Sequence, residues 1–156
     1  MKLAREHGLK RRIMLVDDDE AVLHSLQRLF GRMPCTYGML SYALEIETFT
    51  TPKAALERAH GLQFDAFLSD YRMPKMDGIE FLGRARALQP NAVLMMFSGS
   101  GDRDAFGRAF VEVGIFRFIA KPWDDLTLVS ALAEALNYRD LMLEKPGAGS
   151  DRRRGD

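Results

Sequence analysis

Short apolar runs alternate with amphipathic segments along most of this chain, and this alternation restricts the fold more than any other feature. Four of five runs are almost continuously apolar, which is typical of parallel strands covered on both faces. The remaining run, Leu44–Phe49, alternates apolar and polar residues, and we interpret it as an edge strand. The other four runs are Ile13–Val16, Phe64–Leu68, Ala92–Phe97 and Phe116–Ile119.

The segments after these runs carry helix signals. Apolar side chains recur at helical spacing between residues 22 and 30 and between 105 and 113. Residues typical of N-caps precede the other helical segments, namely Thr51, Asp77 and Asp124. Five successive β-then-α units predict an α/β fold. We expect a doubly wound, five-stranded parallel sheet of strand order 2-1-3-4-5, the flavodoxin-like arrangement.

The composition indicates an ordinary soluble protein. The chain has 156 residues, of which 47% are hydrophobic, and its 22 basic residues balance 22 acidic ones. No net field therefore favours nucleic acid or membrane. The single cysteine, Cys35, excludes an intramolecular disulfide and suits a reducing compartment. Because signal-peptide and membrane-helix patterns are both missing, we expect a cytoplasmic location and no membrane contact.

The chain divides into three predicted parts. Residues 1–11 form a basic leader, 12–144 the globular domain, and 145–156 a tail whose composition is typical of disorder. The tail contains three consecutive arginines, so anion or nucleic-acid binding is an alternative to a solvated tail.

One connection inside the domain, Gly31–Ala43, is longer than most helix-to-strand links and is too apolar for a purely solvated loop. We favour a segment that folds back over the sheet edge, with a partner-docking surface as the alternative.

Polar residues follow four of the predicted strands. Asp17 and Asp18 come after the first strand, Asp70 ends the third, Ser98 the fourth, and Lys121 follows the fifth. Because parallel strands end at one edge of a sheet, where α/β proteins bind ligands, we expect these groups to line one crevice.

Each group also has a purely structural interpretation. The acidic run Asp17–Glu20 could cap the next helix, Ser98 could be a turn residue, and Lys121 could lie on the surface. Converging carboxylates repel one another unless a cation lies among them, and Mg²⁺ prefers such oxygen ligands. The cluster therefore favours a magnesium site, whereas Asp19 and Glu20 suit capping.

These groups fit one reaction. A carboxylate can be a covalent nucleophile toward a phosphoryl group and form an aspartyl phosphate. A magnesium ion, a lysine ammonium and a hydroxyl would each stabilise one part of the phosphoryl charge.

The residues lie in four motifs that closely resemble the receiver domain of two-component response regulators. The resemblance extends from about Arg12 to Leu143. The motifs are Ile13–Glu20, Ser69–Gly78, Phe97–Gly99 and Arg117–Trp123.

The resemblance implies a role for each residue. Asp70 is implied as the phosphoacceptor, which takes a phosphoryl group from a histidine kinase or a phosphotransfer protein. Ser98 and Lys121 are implied to assist, and Ser98 and Phe118 to form the conformational switch. A Lys121–Pro122 cis peptide is also implied. The implied Mg²⁺ ligands are Asp18, Asp70 and the main-chain carbonyl of Arg72, with Asp17 acting directly or through a water molecule.

The implied output is a shape change on the face formed by the 105–113 helix, the fifth strand and the last helix. This face would control an unidentified downstream protein. A homodimer through Phe106 and Phe110 is left open, although we favour a core position for these two side chains. The protein would catalyse only its own phosphoryl transfer and dephosphorylation. After Leu143 we find no DNA-binding or catalytic motif, which suits a stand-alone receiver or a part of a larger protein.

Two alternatives belong to other classes. A Mg²⁺-dependent phosphohydrolase would also use an aspartyl nucleophile, but many such enzymes carry a second aspartate where this chain has Arg72. A degenerate, purely structural receiver conflicts with the filled acidic, hydroxyl and lysine positions. One departure from the resemblance is Phe118, which lacks the hydroxyl of the tyrosine that many receivers have there.

Overall fold

The computed structural model describes residues 8–99 and 101–144, which form six strands and five helices. The strands are β1 (Leu9–Val16), β2 (Cys35–Tyr37), β3 (Leu40–Phe49), β4 (Ala66–Asp70), β5 (Val93–Ser98) and β6 (Arg117–Ala120). The helices are α1 (Glu20–Arg32), α2 (Pro52–Gly61), α3 (Gly78–Leu88), α4 (Arg103–Arg108) and α5 (Asp125–Glu144). A π-helical turn, Ala109–Val113, extends α4 and ends at Gly114, whose φ is 79°.

The strands form one sheet of order β2-β3-β1-β4-β5-β6. Every neighbouring pair from β3 to β6 is parallel, whereas β2 and β3 are antiparallel. The five parallel strands follow the predicted 2-1-3-4-5 order, so the doubly wound α/β fold is confirmed. The predicted strand count was wrong by one, because β2 adds a sixth strand.

The additional strand comes from the long connection Gly31–Ala43. The chain turns at Gly38, whose φ of 59° suits glycine, and Tyr37 pairs with Leu40 of β3. The segment therefore folds back onto the sheet edge, as we favoured. The interpretation of Leu44–Phe49 as an edge strand was wrong, since β3 lies between β2 and β1. Its alternating pattern reflects two unequally covered faces, which an interior strand can also have.

The predicted caps are present at the helix starts. The Thr51 Oγ1 accepts a hydrogen bond from the Ala54 amide at 3.2 Å, and Pro52 occupies the first turn of α2. Asp side chains cap α1, α3 and α5 in the same way. The capping residues are Asp19, Asp77 and Asp124.

Two apolar layers cover the sheet, one on each face. Ile13 and Leu15 of β1 belong to the layer that includes α1 and α5. Met14 and Val16 belong to the opposite layer, which includes α2, α3 and α4. Because successive strand residues point to opposite faces, the continuous apolar run of β1 contributes to both layers. This double cover confines polar chemistry to the rims of the sheet.

The start of β1 lies before the apolar run that predicted it. Leu9–Arg11, grouped above with the basic leader, pair with Tyr42–Leu44 of β3. The predicted domain boundaries stay predictions, since residues 1–7 and the predicted tail, 145–156, lie outside the described residues. Among the helices of the described ranges, none is both long enough and apolar enough to span a membrane.

Candidate functional site

Three carboxylates meet at the carboxyl edge of the sheet. β1 and β4 are paired neighbours, so Asp17, which follows β1, comes close to Asp70 at the end of β4. Asp18 joins them, and one carboxylate oxygen from each residue lies within 4.8 Å of the others. Asp17 is buried, Asp70 is partly buried and Asp18 is exposed.

The Asp17 carboxylate is held in a fixed orientation. Its Oδ1 accepts a hydrogen bond from the Asp19 amide at 2.8 Å, and its Oδ2 lies 2.8 Å from the Nζ of Lys121. The Asp17 amide donates to the Phe49 carbonyl at 3.1 Å. Both oxygens of this buried acid therefore have partners, as a charge with a side-chain exposure of 3% requires.

Lys121 connects two of the acids. It follows β6, yet its Nζ lies 3.3 Å from the Oδ1 of Asp70. Asp70 is at the end of β4, two strands away from β6 in the sheet. The side chain therefore points into the acidic crevice, and its surface interpretation does not hold. The Lys121–Pro122 peptide is cis, as the resemblance implied.

The surroundings shift both pKa values. Burial is the main cause that raises the pKa of the Asp70 carboxyl above its ordinary value, with the Asp17 charge adding to it and Lys121 opposing both. For Lys121, burial lowers the pKa, but hydrogen bonds and charge from Asp17 and Asp70 outweigh it and raise the pKa overall. At neutral pH the lysine is therefore a cation.

Ser98 lies beside Asp70 on the next strand. Phe97 is the register partner of Asp70, and Ser98, one residue further on, pairs with Ala120 of β6. The Ser98 carbonyl accepts a hydrogen bond from the Lys121 amide at 2.9 Å. The buried serine is thus placed between the strands that deliver the acid and the lysine.

Phe118 lies in an aromatic cluster against α4. Its ring stacks on Phe106 with a centroid distance of 4.4 Å and meets Phe110 edge-on at 5.0 Å. Phe118 is partly buried, whereas Phe110 is 53% exposed, so the expected core position was wrong for Phe110. The ring cluster joins β6 to the exposed side of α4 and its π-helical turn.

The segment after Asp70 is tightly packed under the site. A Cβ on Gly78 would lie 2.2 Å from the Asp70 carbonyl oxygen, so only glycine fits there. The Gly78 amide donates to the Tyr71 carbonyl at 2.7 Å and closes the loop. The Arg72 side chain pairs with a fourth acid, since its Nε lies 2.7 Å from the Oδ1 of Asp102.

Sequence reasoning did not single out two of these residues. Gly78 was noted only as the last residue of a motif. Its backbone lies close to the Asp70 carbonyl because α3 packs on β4, and this contact requires glycine. Asp102 resembles an ordinary helix N-cap, yet its side chain caps no α4 amide and accepts a hydrogen bond from the Gly99 amide instead. Its burial, with 4% exposure, gave no signal in the sequence.

The donor set fits a divalent magnesium ion. Within residues 8–99 and 101–144, the three carboxylates and the ammonium of Lys121 that contacts them carry −3 and +1 charges, which leaves −2. Clustered carboxylate oxygens are the ligands that Mg²⁺ prefers. The structure therefore brings the predicted acids together, while the role of each residue stays a prediction.

A cleft with a volume of about 750 Å³ lies elsewhere. It is lined by residues that precede β5 and β6, such as Asn91 and Phe116, and by Tyr138 of α5. It therefore lies at the amino edge of the sheet, away from the carboxylates. A second cleft, of about 580 Å³, is lined by Asp18 and by residues that follow β3 and β4.

Comparisons with known proteins agree with this architecture. Residues 13–133 match the family described as the response regulator receiver domain. The hydrogenase transcriptional regulatory protein HoxA of Bradyrhizobium diazoefficiens is 31% identical over 139 residues, 89% of this chain and 27% of HoxA. The transcriptional regulatory protein FixJ of the same organism is 29% identical over 142 residues, 91% of this chain and 64% of FixJ. The chain thus spans less than two thirds of either relative.

Solved structures have the same fold. The signal receiver domain of an HD domain-containing protein from Pseudomonas fluorescens Pf-5 superposes with a TM-score of 0.72 at 29% identity. The match covers 84% of this chain and 98% of that one. With the parallel sheet, its acidic edge and the family match, the chain belongs to the response-regulator receiver domains of two-component systems. Domains of this family are generally signalling modules controlled by phosphorylation and not enzymes.

Proposed function

We propose that Asp70 accepts a phosphoryl group from a histidine kinase or a phosphotransfer protein and thereby switches this domain between two signalling states. The observation that carries the proposal is the placement of Asp70. It is a partly buried carboxylate in contact with Lys121, clustered with Asp17 and Asp18, and next to Ser98 on the adjoining strand.

The chemical step is a displacement at phosphorus. Among the described residues, the polar contacts of the Asp70 carboxylate are made by its Oδ1. This oxygen accepts a hydrogen bond from the Tyr71 main-chain amide at 2.9 Å and lies 3.3 Å from the Nζ of Lys121. Its Oδ2 is therefore the nucleophile. A new bond forms between Oδ2 and phosphorus, the phosphorus–nitrogen bond of the donor phosphohistidine breaks, and the leaving imidazole nitrogen takes a proton.

Mg²⁺ is the cofactor that this site fits. Asp17, Asp18, Asp70 and the main-chain carbonyl of Arg72 would hold it, and when bound it supplies positive charge to the phosphoryl oxygens. Lys121 would supply a second positive charge, and its ammonium is already oriented by the ion pair with Asp17. The chain's own contribution is thus position and electrostatics.

The signal is a shift between two conformations. An aspartyl phosphate carries nearly two negative charges, which attract the Ser98 hydroxyl and the Lys121 ammonium. Movement of Ser98 opens space that Phe118 fills, and its stacking on Phe106 then changes. Since Phe118 also touches the exposed Phe110, the change reaches the face formed by α4, β6 and α5.

This face is the surface that we assign to a downstream protein or to a second copy of the chain. HoxA and FixJ are named transcriptional regulatory proteins, and both are longer than this chain. In the part of the chain that the structure describes, the folded elements are those of the receiver alone. The output is therefore proposed to be a protein contact, with no DNA contact by these elements.

The test is covalent labelling. Incubation with Mg²⁺ and acetyl phosphate should add one acid-labile phosphoryl group per molecule, measured by intact mass, and Asp70→Asn should abolish it. Asp19→Asn is the matched control, because asparagine also caps helices and Asp19 caps α1. It should be labelled like the wild type. Repeated turnover of a phosphate ester without labelling would instead indicate the phosphohydrolase, and unlabelled, inactive protein would indicate a structural receiver.

A further inference from the structure

We propose that Asp102 is a positioning residue that holds the segment after Ser98 in its unphosphorylated arrangement, and that Arg72 completes this hold. We call the contacts of Asp102 with Gly99 and Arg72 the Asp102 clasp. The proposal rests on the proposed function, because it concerns the equilibrium that phosphorylation of Asp70 shifts.

The clasp joins two segments on either side of the phosphoacceptor. One Asp102 oxygen, Oδ2, accepts from the amide of Gly99, the residue directly after Ser98, at 2.7 Å. The other, Oδ1, accepts from the Nε of Arg72, two residues after Asp70, at 2.7 Å. A single carboxylate therefore ties the segment after β4 to the segment after β5.

The two side chains of the ion pair are unequally buried. Arg72 is therefore the partner that can move away from Asp102 into solvent. The Asp102 side chain is 3% exposed, whereas the Arg72 side chain is 71% exposed and lies over the Tyr71 ring at 5.3 Å. An exposed guanidinium thus covers a buried carboxylate. Removal of that guanidinium would leave the buried Asp102 charge with the Gly99 amide as its partner and without a cation. This loss would destabilise the arrangement that the clasp holds.

A phosphoryl group on Asp70 would act against the clasp. It adds negative charge to a site that already holds three carboxylates. Ser98 must also approach the phosphoryl group, and Gly99 must move with it while Asp102 holds its amide. Because these contacts favour the unmodified state, their loss should favour the phosphorylated-like state.

The experiment measures binding of beryllium trifluoride, a phosphoryl mimic, in the presence of Mg²⁺, followed by the amide NMR signals of residues around Ser98. Asp102→Asn keeps an acceptor for the Gly99 amide but loses the charge that holds Arg72. We expect Asp102→Asn and Arg72→Gln each to bind the mimic about 10-fold more tightly, a difference of roughly 1.4 kcal/mol. The double variant should bind no more tightly than either single variant, because one contact is lost in all three.

The control is Arg84→Gln, which removes an arginine from an ion pair of the same 2.7 Å length, with Glu80, on the exposed face of α3. It should leave the affinity unchanged. Hydrogen exchange at the Gly99 amide gives a second measurement that needs no phosphoryl mimic. We expect slow exchange in the wild type and fast exchange in Asp102→Ala.

The outcomes separate the two proposals. If the wild type is labelled at Asp70 but Asp102→Asn binds the mimic equally or more weakly, the clasp is overturned and the proposed function stands. Rapid Gly99 exchange in the wild type also overturns the clasp. If the wild type binds no mimic and takes up no phosphoryl group, the proposed function fails, and the role of the clasp fails with it.

Discussion

The Nζ of Lys121 lies 2.8 Å from the Oδ2 of Asp17, although 104 residues separate them in the chain. The acid is buried and the lysine is one-quarter exposed. The pair joins the ends of β1 and β6, and it leaves one face of the lysine for Asp70, 3.3 Å away. It is therefore both a contact that stabilises the fold and a preformed cation beside Asp70, the proposed phosphoacceptor.

Lys121→Met should destabilise the fold by about 1–3 kcal/mol, because Asp17 would stay buried without its cation. The double variant with Asp17→Asn should recover part of that loss, since no uncompensated charge remains. Urea unfolding of the two single variants and the double variant measures the coupling. Strictly additive losses would show that the two side chains do not stabilise each other.

Asp70→Asn should raise the free energy of unfolding at pH 7 in a buffer with a metal chelator. The pKa of Asp70 is raised on folding, so ionisation favours the unfolded chain. This penalty is fully present well above the carboxyl pKa range and disappears below about pH 3.9, where the unfolded group is protonated as well. The gain from the substitution should therefore shrink as the pH falls. Urea midpoints from pH 3 to pH 8 test this sign, and a gain that grows toward low pH contradicts it.

Mg²⁺ should stabilise the unphosphorylated protein against heat. Binding to the folded state alone adds roughly 1.4 kcal/mol when the free ion is at ten times its dissociation constant. Asp18→Asn should weaken the effect, because Asp18 is an exposed member of the acidic cluster and its loss should little disturb the core. Thermal unfolding across a Mg²⁺ series, with chelator as the reference, measures it. A Tm independent of Mg²⁺ would contradict the assigned site.

Gly78→Ala should destabilise the protein by about 1–3 kcal/mol and slow phosphorylation, because the new methyl group would push the Asp70 backbone out of place. Gly83→Ala is the control in the same helix, where the nearest atom to a new Cβ is 3.7 Å away. It should be neutral or stabilising by up to about 1 kcal/mol. Equal effects of the two substitutions would show that the close approach at Asp70 has no special cost.

Cys35 should resist thiol reagents in the folded state. Burial of its side chain in the apolar core raises the pKa of the thiol to about 12, so at pH 8 roughly one molecule in ten thousand carries the thiolate. Thr36→Cys places a second thiol on the exposed side of β2 and should react readily. One reactive thiol per molecule of this variant, and two after denaturation, is the expected count. Fast modification of Cys35 in the native wild type would contradict its burial.

Local sequence signals determined most of the secondary structure and the order of the parallel strands. Apolar runs covered on two faces, caps at Thr51, Asp77 and Asp124, and five β-then-α units were sufficient for the doubly wound fold. The added strand β2 was not predicted, because its three residues are too few to show the alternating pattern of a strand. For the same reason, β3 was placed at the sheet edge.

The sequence by itself determined which chemical groups reach the carboxyl edge of the sheet, since strand ends are encoded locally and parallel strands end together. Only the tertiary structure decided how those groups contact one another. Three of these contacts depend on packing between distant segments. They are the ion pair of Lys121 with Asp17, the close approach of Gly78 to the Asp70 carbonyl, and the hydrogen bond from the Gly99 amide to Asp102. A change of a few tenths of an ångström in the packing would weaken such contacts, and no local pattern of residues specifies the packing that closely.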